Sequence, residues 1–426
     1  MNHRYNMQNL IFSNDNTMEE CRIEFQEVAF EKLKEEREGN DVGHYSLPQD
    51  SSRLVYEAAS KLHKVEQNSS SPIETIVVIG IGGSSLGIRA VDSMLHPALR
   101  KQKKIVYLEN TDPVTLNYEM DKIQKEKSLF FVVSKSGETI ETISIFKIVI
   151  RHFGVHLDGN DKERFFAITQ EGSSLSKFAD EYEIECFDIQ KNVSGRFSVL
   201  SAAGVIPLLA AGYNVQKILD GAQKMIESFF KREEEHILKK ADFLAKNSNH
   251  YTMNVIMSYS NVLSDFNKWY IQLWAESLGK VDKNGNHVGL TPIALTGAND
   301  QHSFLQLILD GPRNKTMTFI KINNFENGLI VPELSLKHME ATNFVNGSSL
   351  NALINAQCDA TMATVREKEI PCDSITLQRI DEESIGALLA YFELLTSTVG
   401  AMININAYNQ PSVELCKALL KKQFEQ

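Results

Sequence analysis

The residues from 134 to 139 combine the side-chain types that bind a phosphate group. In "FVVSKSGETIET", residues 131 to 142, an apolar run stops at Ser134, and Ser136 and Thr139 follow closely. Hydroxyls and backbone N–H groups at the start of a helix suit a phosphate monoester, which carries nearly two negative charges and three strong acceptor oxygens. The same residue types are typical of an ordinary helix N-cap. The stretch therefore indicates an anion site, with a plain helix start as the alternative.

A second stretch, "VVIGIGGSSLGIRA" at residues 77 to 90, follows the same design with more glycine. Gly80, Gly82 and Gly83 would let the backbone approach a ligand, and the helix that follows would present N–H groups to negative charge. The dinucleotide fingerprint G-x-G-x-x-G begins at Gly80 but has Ser85 where its third glycine belongs, and no Walker-type Gly-Lys-Ser/Thr follows. A ligand loop and a tight turn are equal alternatives here, and a nucleotide-binding oxidoreductase is the weakest functional alternative.

Both stretches follow predicted strands, so the surrounding elements determine where they lie. Short β-branched or aromatic runs predict strands at residues 75–80, 104–109, 129–134, 164–169 and 184–189, and a second set begins at 252–259 and includes 316–322. Helical patterns between most of these strands predict parallel sheets covered on both faces. Since open α/β sheets bind ligands at the carboxyl ends of their strands, the two loops fit a ligand edge of one sheet.

The length of 426 residues predicts more than one simple core. Breaks in the pattern divide the chain into an N-terminal helical segment at 1–48, a first α/β domain at 49–214, and a second at 215–426 that ends in helices. The 44 basic and 55 acidic residues give a net charge of −11, which argues against nucleic-acid binding but leaves a small anionic ligand open.

Neither a signal peptide nor a membrane span is predicted from the sequence, which favours a cytoplasmic protein. The N-terminus lacks a charged start followed by an apolar region, so no signal peptide is predicted. The longest apolar run, residues 199–212, contains Pro207 and is shorter than the ~20 residues of a membrane span. The five cysteines are scattered without a CxxC pair, which fits reduced thiols better than zinc ligation or disulfides.

Four further stretches favour one family. "SGRFSVLSAAG" (194–204), "WYIQLWAESLGK" (269–280), "GANDQHSFLQLILDGP" (297–312) and "AYNQPSVELCK" (407–417) stand, with the two loops, in the order of the signature blocks of the glucose-6-phosphate isomerase family. The chain resembles the compact bacterial form of that family. The resemblance implies two sugar-isomerase (SIS) type domains, each a doubly wound parallel sheet with flanking helices, and a homodimer with its site near the subunit interface.

The resemblance also implies an activity. The family interconverts glucose 6-phosphate and fructose 6-phosphate, in glycolysis and gluconeogenesis, through ring opening and a cis-enediol intermediate, with no metal or other cofactor. The "SKSGET" loop would hold the phosphate through hydroxyls and one backbone amide, and the glycine-rich loop would face the sugar. The substrate-binding residues implied in this way are Ser134, the amide of Lys135, Ser136, Thr139, Gly83, Ser84, Gln272 and Gln410.

The resemblance implies two catalytic residues for the isomerisation step, a base that moves a proton and a cation that stabilises the enediolate. Glu276 matches the base that moves a proton between C1 and C2, and Arg196 matches the cation that steadies the enediolate. The helical pattern agrees, because Ile271, Trp274 and Leu278 form an apolar stripe that leaves Glu276 on another face, with a glutamine four residues before it. Without the resemblance, a solvated helix face and a surface salt bridge would be the better interpretations.

Ring opening is implied for two further residues. His302 and Lys417 match the pair that opens the sugar ring, and the histidine is expected to come from the partner subunit. The chain departs from the family pattern at Ser194 and Ser412, where glycine is usual, and at Leu278, where a polar residue is often found. These departures put turnover in more doubt than reaction type.

Two alternatives stay open. A related isomerase acting on mannose 6-phosphate or an aminosugar phosphate would use the same phosphate loop. A non-catalytic sugar-phosphate sensor of the SIS type would need the loop but not Glu276, His302, Arg196 and Lys417 together, and it would usually carry a basic helix-turn-helix segment, which the sequence does not show.

Overall fold

Two large β-sheets organise residues 4–7, 10–14, 23–99 and 103–425, which this computed structural model describes. The strands are β1 (Arg4–Met7), β2 (Leu10–Asn14), β3 (Thr75–Ile79), β4 (Lys104–Leu108), β5 (Ser128–Val133), β6 (Phe165–Thr169), β7 (Glu185–Asp188), β8 (Met253–Ser258), β9 (Lys280–Val281), β10 (His287–Val288), β11 (Thr291–Thr296), β12 (Lys315–Asn324) and β13 (Cys372–Arg379). The helices are α1 (Ile23–Glu38), α2 (Leu47–Asn68), α3 (Leu86–Leu99), α4 (Pro113–Met120), α5 (Ile140–His152), α6 (Ser174–Glu181), α7 (Ala202–Ala211), α8 (Val215–Phe230), α9 (His236–Lys246), α10 (Ser264–Leu278), α11 (Leu305–Asp310), α12 (Leu350–Glu367), α13 (Glu382–Met402) and α14 (Glu414–Phe424).

The first sheet is wholly parallel, with the strand order β4-β3-β5-β6-β7. Every residue of β3, β5 and β6 is buried, as expected for apolar strands that helices cover on both faces. The five strands predicted for this half all exist, within one residue of their expected limits. Strand order reverses between β3 and β5, which is where doubly wound sheets bind their ligands.

The second sheet repeats this arrangement, with the strand order β1-β2-β13-β12-β8-β11. Its four parallel strands, β11, β8, β12 and β13, stand in the same relative order as β4, β3, β5 and β6. The fifth place, which β7 fills in the first sheet, is taken by the antiparallel strand β2. The prediction of two doubly wound sheets is confirmed, with an antiparallel edge added to the second.

The N-terminal segment, predicted as helical, contains strands as well as a helix. Helix α1 is present, but residues 10–14 form β2 and pair with β13, so that Phe12 lies opposite Ile375. Phe12 is fully buried, and its ring stacks on those of His236 and Tyr391 with centroids 5.0 Å away in each case. Leu10 and Phe12 alternate with more exposed residues. This two-residue period is that of a half-buried strand, which explains why residues 10–14 form β2. The exact limits of the domains stay predictions.

Helix α13 is the central core helix. It packs against α8, α9, α1, α10 and β13, and its residues are apolar nearly all round. Its 21 residues are long and apolar enough to cross a membrane, but 94% of the apolar window is buried inside the protein. The run at 199–212, which the sequence singled out, forms the shorter helix α7.

Helix α10 joins the two halves, because it packs on α3 of the first half and on β11 of the second. Trp269, Leu273 and Trp274 are buried along this helix. Of the predicted apolar stripe, Trp274 and Leu278 are buried, whereas Ile271 is 38% exposed. The predicted stripe is therefore wrong at Ile271, because the buried face of α10 is rotated toward Trp269 and Leu273.

Candidate active site

The loops after β3 and β7 meet at the carboxyl edge of the first sheet. The 3-10 turn Gly82–Ser84 packs on the 3-10 turn Gly195–Phe197. A Cβ atom at Gly83 would lie 2.2 Å from the carbonyl oxygen of Gly195, so no larger residue fits without a shift of backbone. Ser84 is half-buried in the same turn. This contact fixes the first ligand loop against the turn that carries Arg196.

Arg196 is the centre of a hydrogen-bond cluster and is 2% exposed. A guanidinium has five N–H donors, and here each has an acceptor. Nε donates to Ser277 Oγ (2.7 Å), Nη1 to Glu276 Oε1 (3.1 Å) and Gln410 Oε1 (3.2 Å), and Nη2 to the carbonyl oxygens of Ala407 (2.5 Å) and Asn409 (3.1 Å). Burial lowers the pKa of Arg196, and the neighbouring Glu276 carboxylate opposes that shift. The side chain is thus a buried cation that ties the first sheet to α10 and to the C-terminal loop.

Glu276 lies between two donors on the exposed side of this cluster. Its Oε1 accepts from Arg196, and its Oε2 accepts from Gln272 Nε2 at 3.2 Å. Gln272 in turn approaches the first loop, because a Cβ at Gly82 would lie 3.0 Å from Gln272 Nε2. The other amide atom, Gln272 Oε1, is buried without a hydrogen-bond partner. The glutamate is fixed in one orientation, and an unused acceptor lies beside it.

The predicted phosphate loop is a compact turn between β5 and α5. Ser134 Oγ and Thr139 Oγ1 are 2.9 Å apart, and Ser136 Oγ accepts from the Glu138 N–H at 3.2 Å. Gly137 has φ +71°, and a Cβ there would lie 2.5 Å from Leu175 N, so glycine is required. The loop therefore gathers three hydroxyls at the start of a helix.

Lys135 uses its two ends differently. Its Nζ donates to the carbonyl oxygens of Lys191 (2.8 Å) and Val193 (2.7 Å), in the segment that leads to Arg196. Burial lowers the pKa of Lys135, and Asp188 opposes the shift. Its backbone N–H has no acceptor within the described ranges. The ammonium of Lys135 is thus occupied within the chain, and the role of its amide in binding a ligand stays a prediction.

The predicted ring-opening pair lies outside the Arg196 cluster. His302 ends the 3-10 turn after β11, at the edge of the second sheet, and is exposed. Its ring has no hydrogen-bond partner in the part of the chain that the structure describes. Lys417 is exposed on α14, which follows the loop that contains Gln410. One chain thus brings together Arg196, Glu276, Gln272 and Gln410 but leaves His302 apart.

Among the described residues, no group of three or more His, Cys, Asp or Glu side chains is placed to hold a metal ion. The donors of the cluster are instead a guanidinium, amides and hydroxyls, which suit an oxygen-rich anionic ligand.

Comparison with known proteins identifies the family. The family model of phosphoglucose isomerase matches residues 62–426. The chain is 42% identical, over 92% of its own length and 94% of the relative, to a glucose-6-phosphate isomerase of Campylobacter jejuni. The chain belongs to the phosphoglucose isomerase family. The predicted family and isomerase class are confirmed.

Two solved structures resemble this phosphoglucose isomerase chain over nearly its whole length. A hypothetical protein from Thermus thermophilus superposes with a TM-score of 0.87 at 30% identity, covering 95% of each chain. A glucose-6-phosphate isomerase from Chlamydia trachomatis superposes with a TM-score of 0.82, covering 99% of this chain and 89% of the other. At 22% identity the second likeness bears on the fold alone.

The departures from the phosphoglucose isomerase pattern have local explanations. Ser194 has φ −77°, which any residue can adopt, so the arginine turn does not require glycine there. Leu278 is fully buried, 3.6 Å from where a Cβ at Gly400 would lie, and it belongs to the core. Ser412 is exposed and in a 3-10 turn. None of the three substitutions removes a hydrogen bond from the Arg196 cluster.

Sequence reasoning missed two residues of this candidate site. Ser277 accepts from Arg196 Nε, and Lys280 donates from Nζ to the main-chain oxygen of Glu276. Lys280 and Glu276 also line a cavity of about 530 Å³ together with Gln410. A signal for Lys280 was available, since it follows Glu276 by four residues, as Glu276 follows Gln272. Ser277 gave no signal, because a small polar residue next to a glutamate is common.

Proposed function

We propose that this chain catalyses the reversible isomerisation of glucose 6-phosphate and fructose 6-phosphate, through ring opening and a cis-enediol, in cytoplasmic glycolysis and gluconeogenesis. The observation that carries the proposal is the orientation of Glu276, whose two carboxylate oxygens accept from Arg196 and Gln272. A carboxylate fixed beside a buried cation suits proton transfer that creates negative charge on a neighbouring oxygen. Membership of the phosphoglucose isomerase family supports the choice of substrate.

Glu276 acts as the base that moves one proton between two carbons. It takes the proton from C2 of the open-chain aldose, and the released electron pair forms the C1=C2 bond while O1 takes up a proton, which gives the cis-enediol. The Glu276 carboxylic acid then returns its proton to C1 as O2 loses a proton and becomes the ketone. Arg196 stabilises the negative charge that develops on these oxygens.

Arg196 must exchange partners when substrate binds. All five of its donors are occupied in the free protein, two of them by the side chains of Glu276 and Gln410. Those two contacts are with side chains, whereas the two Nη2 contacts are with main-chain oxygens. The sugar oxygens are therefore expected to replace the Nη1 contacts, which frees Glu276 Oε1 for proton transfer.

The loop of residues 134–139 anchors the phosphate. Ser134, Ser136 and Thr139 supply hydroxyl donors, and the N–H groups of Lys135 and of the first turn of α5 supply the rest. Gly83 and Ser84, with the unused acceptor of Gln272, face the sugar. Anchoring the phosphate end sets C1 and C2 beside Glu276, so the contribution of this loop is positioning.

We also propose that two copies of the chain form a homodimer in which His302 enters the site of the partner subunit, where it opens the ring with Lys417. The arm of residues 325–349, between β12 and α12, supports this assembly. Its side chains include Leu329, Ile330 and Phe344, exposed by 62%, 61% and 84%. Large exposed apolar side chains that cluster on one segment mark an interaction surface, and a second copy is the partner that would complete the catalytic set.

A coupled assay of the purified chain tests the function. Fructose 6-phosphate should be converted to glucose 6-phosphate, and mannose 6-phosphate, tested in parallel, should be a poorer substrate. Activity on mannose 6-phosphate alone would favour the related-isomerase alternative. Binding of these phosphosugars without turnover would favour the non-catalytic sensor, and either result would contradict the proposal.

A further inference from the structure

Lys280 contacts Glu276 in the proposed isomerase site, and the family resemblance assigns it no role. Helix α10 ends at Leu278, and Gly279 N donates back to the carbonyl oxygen of Ala275 at 3.0 Å. The next carbonyl, that of Glu276, is one of those that a helix end leaves without an intrahelical partner. Lys280 Nζ donates to it. The lysine thus caps the helix at the residue that carries the catalytic carboxylate.

The backbone of Lys280 is held in place independently of this contact. It is the first residue of β9 and pairs with Val288 of β10, so a short hairpin fixes its Cα. The turn of the hairpin is itself organised by Asp282, which accepts from the N–H groups of Asn284 and Asn286 at 2.8 Å. Because this hairpin fixes its backbone, the half-buried Lys280 side chain has little freedom to leave the Glu276 carbonyl.

The charged and titratable groups around Lys280 come from three elements. On α10 there is Glu276, on the turn after β7 there is Arg196, and on β10 there is His287, which lines the same cavity. The C-terminal loop contributes uncharged amides to the cavity wall, among them Gln410. Glu276 therefore has two cations as neighbours: Arg196 contacts its carboxylate, and Lys280 contacts its main-chain oxygen.

We propose that Lys280 is a positioning residue of the active site: its ammonium holds the main chain of Glu276 in register with Arg196 and adds a second positive charge beside the reacting carboxylate. This inference rests on the proposed function, because it assigns Lys280 to the same proton-transfer step. Its effect on catalysis depends on the ammonium being charged, since a charge-assisted hydrogen bond is about twice as strong as a neutral one.

The environment of Lys280 makes that charge sensitive to pH. Burial, and then the charge of Arg196, lower the pKa of Lys280 to about 8, while Glu276 opposes the shift. The ammonium is charged below this pKa and is lost as the pH rises through it. We therefore expect the turnover number to fall on the alkaline side near this pH, within the range in which the protein can be assayed.

The test is a pH–rate profile of the 426-residue chain and three variants between pH 6 and 10. Lys280→Met should lower kcat about tenfold at pH 7 with a much smaller change in KM, and its alkaline decline should vanish. Lys280→Arg keeps a charge at every pH used, so it should retain more than half of kcat and move the alkaline decline upward by more than one pH unit. Lys268→Met, an exposed lysine on the same helix paired with Asp265, should match the parent chain at every pH.

Thermal unfolding of the Lys280 variants separates a folding defect from a catalytic one, and Lys280→Arg, which keeps the charge, remains informative if Lys280→Met does not fold. A kcat of Lys280→Met within twofold of the parent at pH 7 would overturn the proposal. So would a Lys280→Arg profile with an unchanged alkaline decline. Lack of isomerase activity in the parent chain would instead reject the proposed function.

Discussion

The two sheets share one strand order but contribute different parts of the site. In the first, β3 runs through the 3-10 turn Gly82–Ser84 into α3; in the second, β8 runs through the 3-10 turn Asn261–Leu263 into α10. The two helices pack on each other. In the first unit the turn itself meets the arginine loop, whereas in the second the last turns of the helix carry Gln272 and Glu276. Equivalent positions of one scaffold therefore supply a backbone surface in one half and the proposed catalytic side chain in the other.

The connections that follow the central strands β5 and β12 differ even more between the two halves. The connection from β5 to α5 is the short phosphate loop, residues 134–139, while the connection from β12 to α12 is the exposed arm, residues 325–349. The first gathers three hydroxyls at the start of a helix, and the second presents apolar side chains to the outside. In the proposed function, anchoring of the substrate thus belongs to the first half, and proton transfer and association belong to the second. Substitutions in the two halves should have effects of different kinds.

The largest effect is expected from the helix of the second half. Glu276→Gln keeps an acceptor oxygen for Arg196 but loses the second acceptor, which serves Gln272, and it cannot take a proton. We therefore expect kcat to fall about 10³- to 10⁴-fold while the phosphosugar still binds. The coupled assay measures the first quantity, and calorimetric titration with fructose 6-phosphate measures the second. Asp265→Asn, at the start of the same helix, is the control and should change neither. Near-normal turnover by Glu276→Gln would reject its role as base.

Arg196 joins the two halves, and its loss should damage both activity and stability. Arg196→Met removes the charge and leaves buried acceptors at Ser277, Ala407 and Asn409 without donors. We expect kcat to fall about 10²- to 10³-fold and the free energy of unfolding to fall by about 3 kcal/mol, measured by urea titration.

Arg89→Met is the matched control for Arg196, because Arg89 also donates to a glutamate, Glu109, at 2.6 Å, but both side chains are 28% exposed. Its loss should cost less than about 1 kcal/mol and leave kcat unchanged. Equal effects of Arg196→Met and Arg89→Met would show that the buried Arg196 cluster contributes no more than an exposed ion pair.

The sequence predicted the first sheet more completely than the second, for a physical reason. Strands such as β5 are continuous apolar runs, and a pattern of that kind is visible without knowledge of the fold. In the second sheet, β13 carries Asp373 in its interior and was missed. That buried carboxylate accepts from Lys240 of α9 and from Thr318 of β12, at 2.8 Å in each case, and both partners are distant in sequence. Strand β11 was also missed, since Pro292 and half-buried side chains weaken its pattern.

In the candidate site too, contacts between residues distant in sequence could not be predicted. Short patterns singled out the hydroxyls of residues 134–139 and the pair Gln272 and Glu276, because those residues are neighbours in sequence. The contact of Arg196 with Glu276 joins residues 80 positions apart in the sequence, so only the family resemblance connected them before the structure. The structure adds that Arg196 has no unused donor, and this could not be inferred from residue types.

Exchange of subunits tests whether the second half completes the site of another chain. His302→Ala should lower kcat on glucose 6-phosphate about 10²-fold, through loss of ring opening. When His302→Ala and Glu276→Gln chains are mixed and allowed to reassociate, half of the dimers are mixed and each contains one intact site, so about a quarter of the parent activity should return. No recovery would place His302 and Glu276 of one site on the same chain.

The same mixing experiment tests the arm. The double variant Leu329→Glu/Phe344→Glu should sediment as a monomer, and its presence in both chains of the mixture should abolish the recovery. Tyr56→Glu changes an aromatic residue that is 83% exposed outside the arm, on α2, and should leave both the dimer and the recovery intact. A double variant that still sediments as a dimer would show that the arm is not the interface.

The smallest effect is expected in the phosphate loop, where it should appear in binding. Ser136 is exposed, and the single bond of its hydroxyl within the described residues is the one it accepts from Glu138 N. Ser136→Ala therefore removes one donor to the phosphate at little cost to folding, and KM should rise about tenfold with kcat nearly unchanged. Ser174→Ala, which removes an exposed hydroxyl that bonds to Glu138 Oε1 of the same loop, is the control and should leave KM unaltered. If Ser136→Ala lowers kcat with KM unchanged, the loop takes part in the transition state itself, and the division between an anchoring half and a reacting half is wrong.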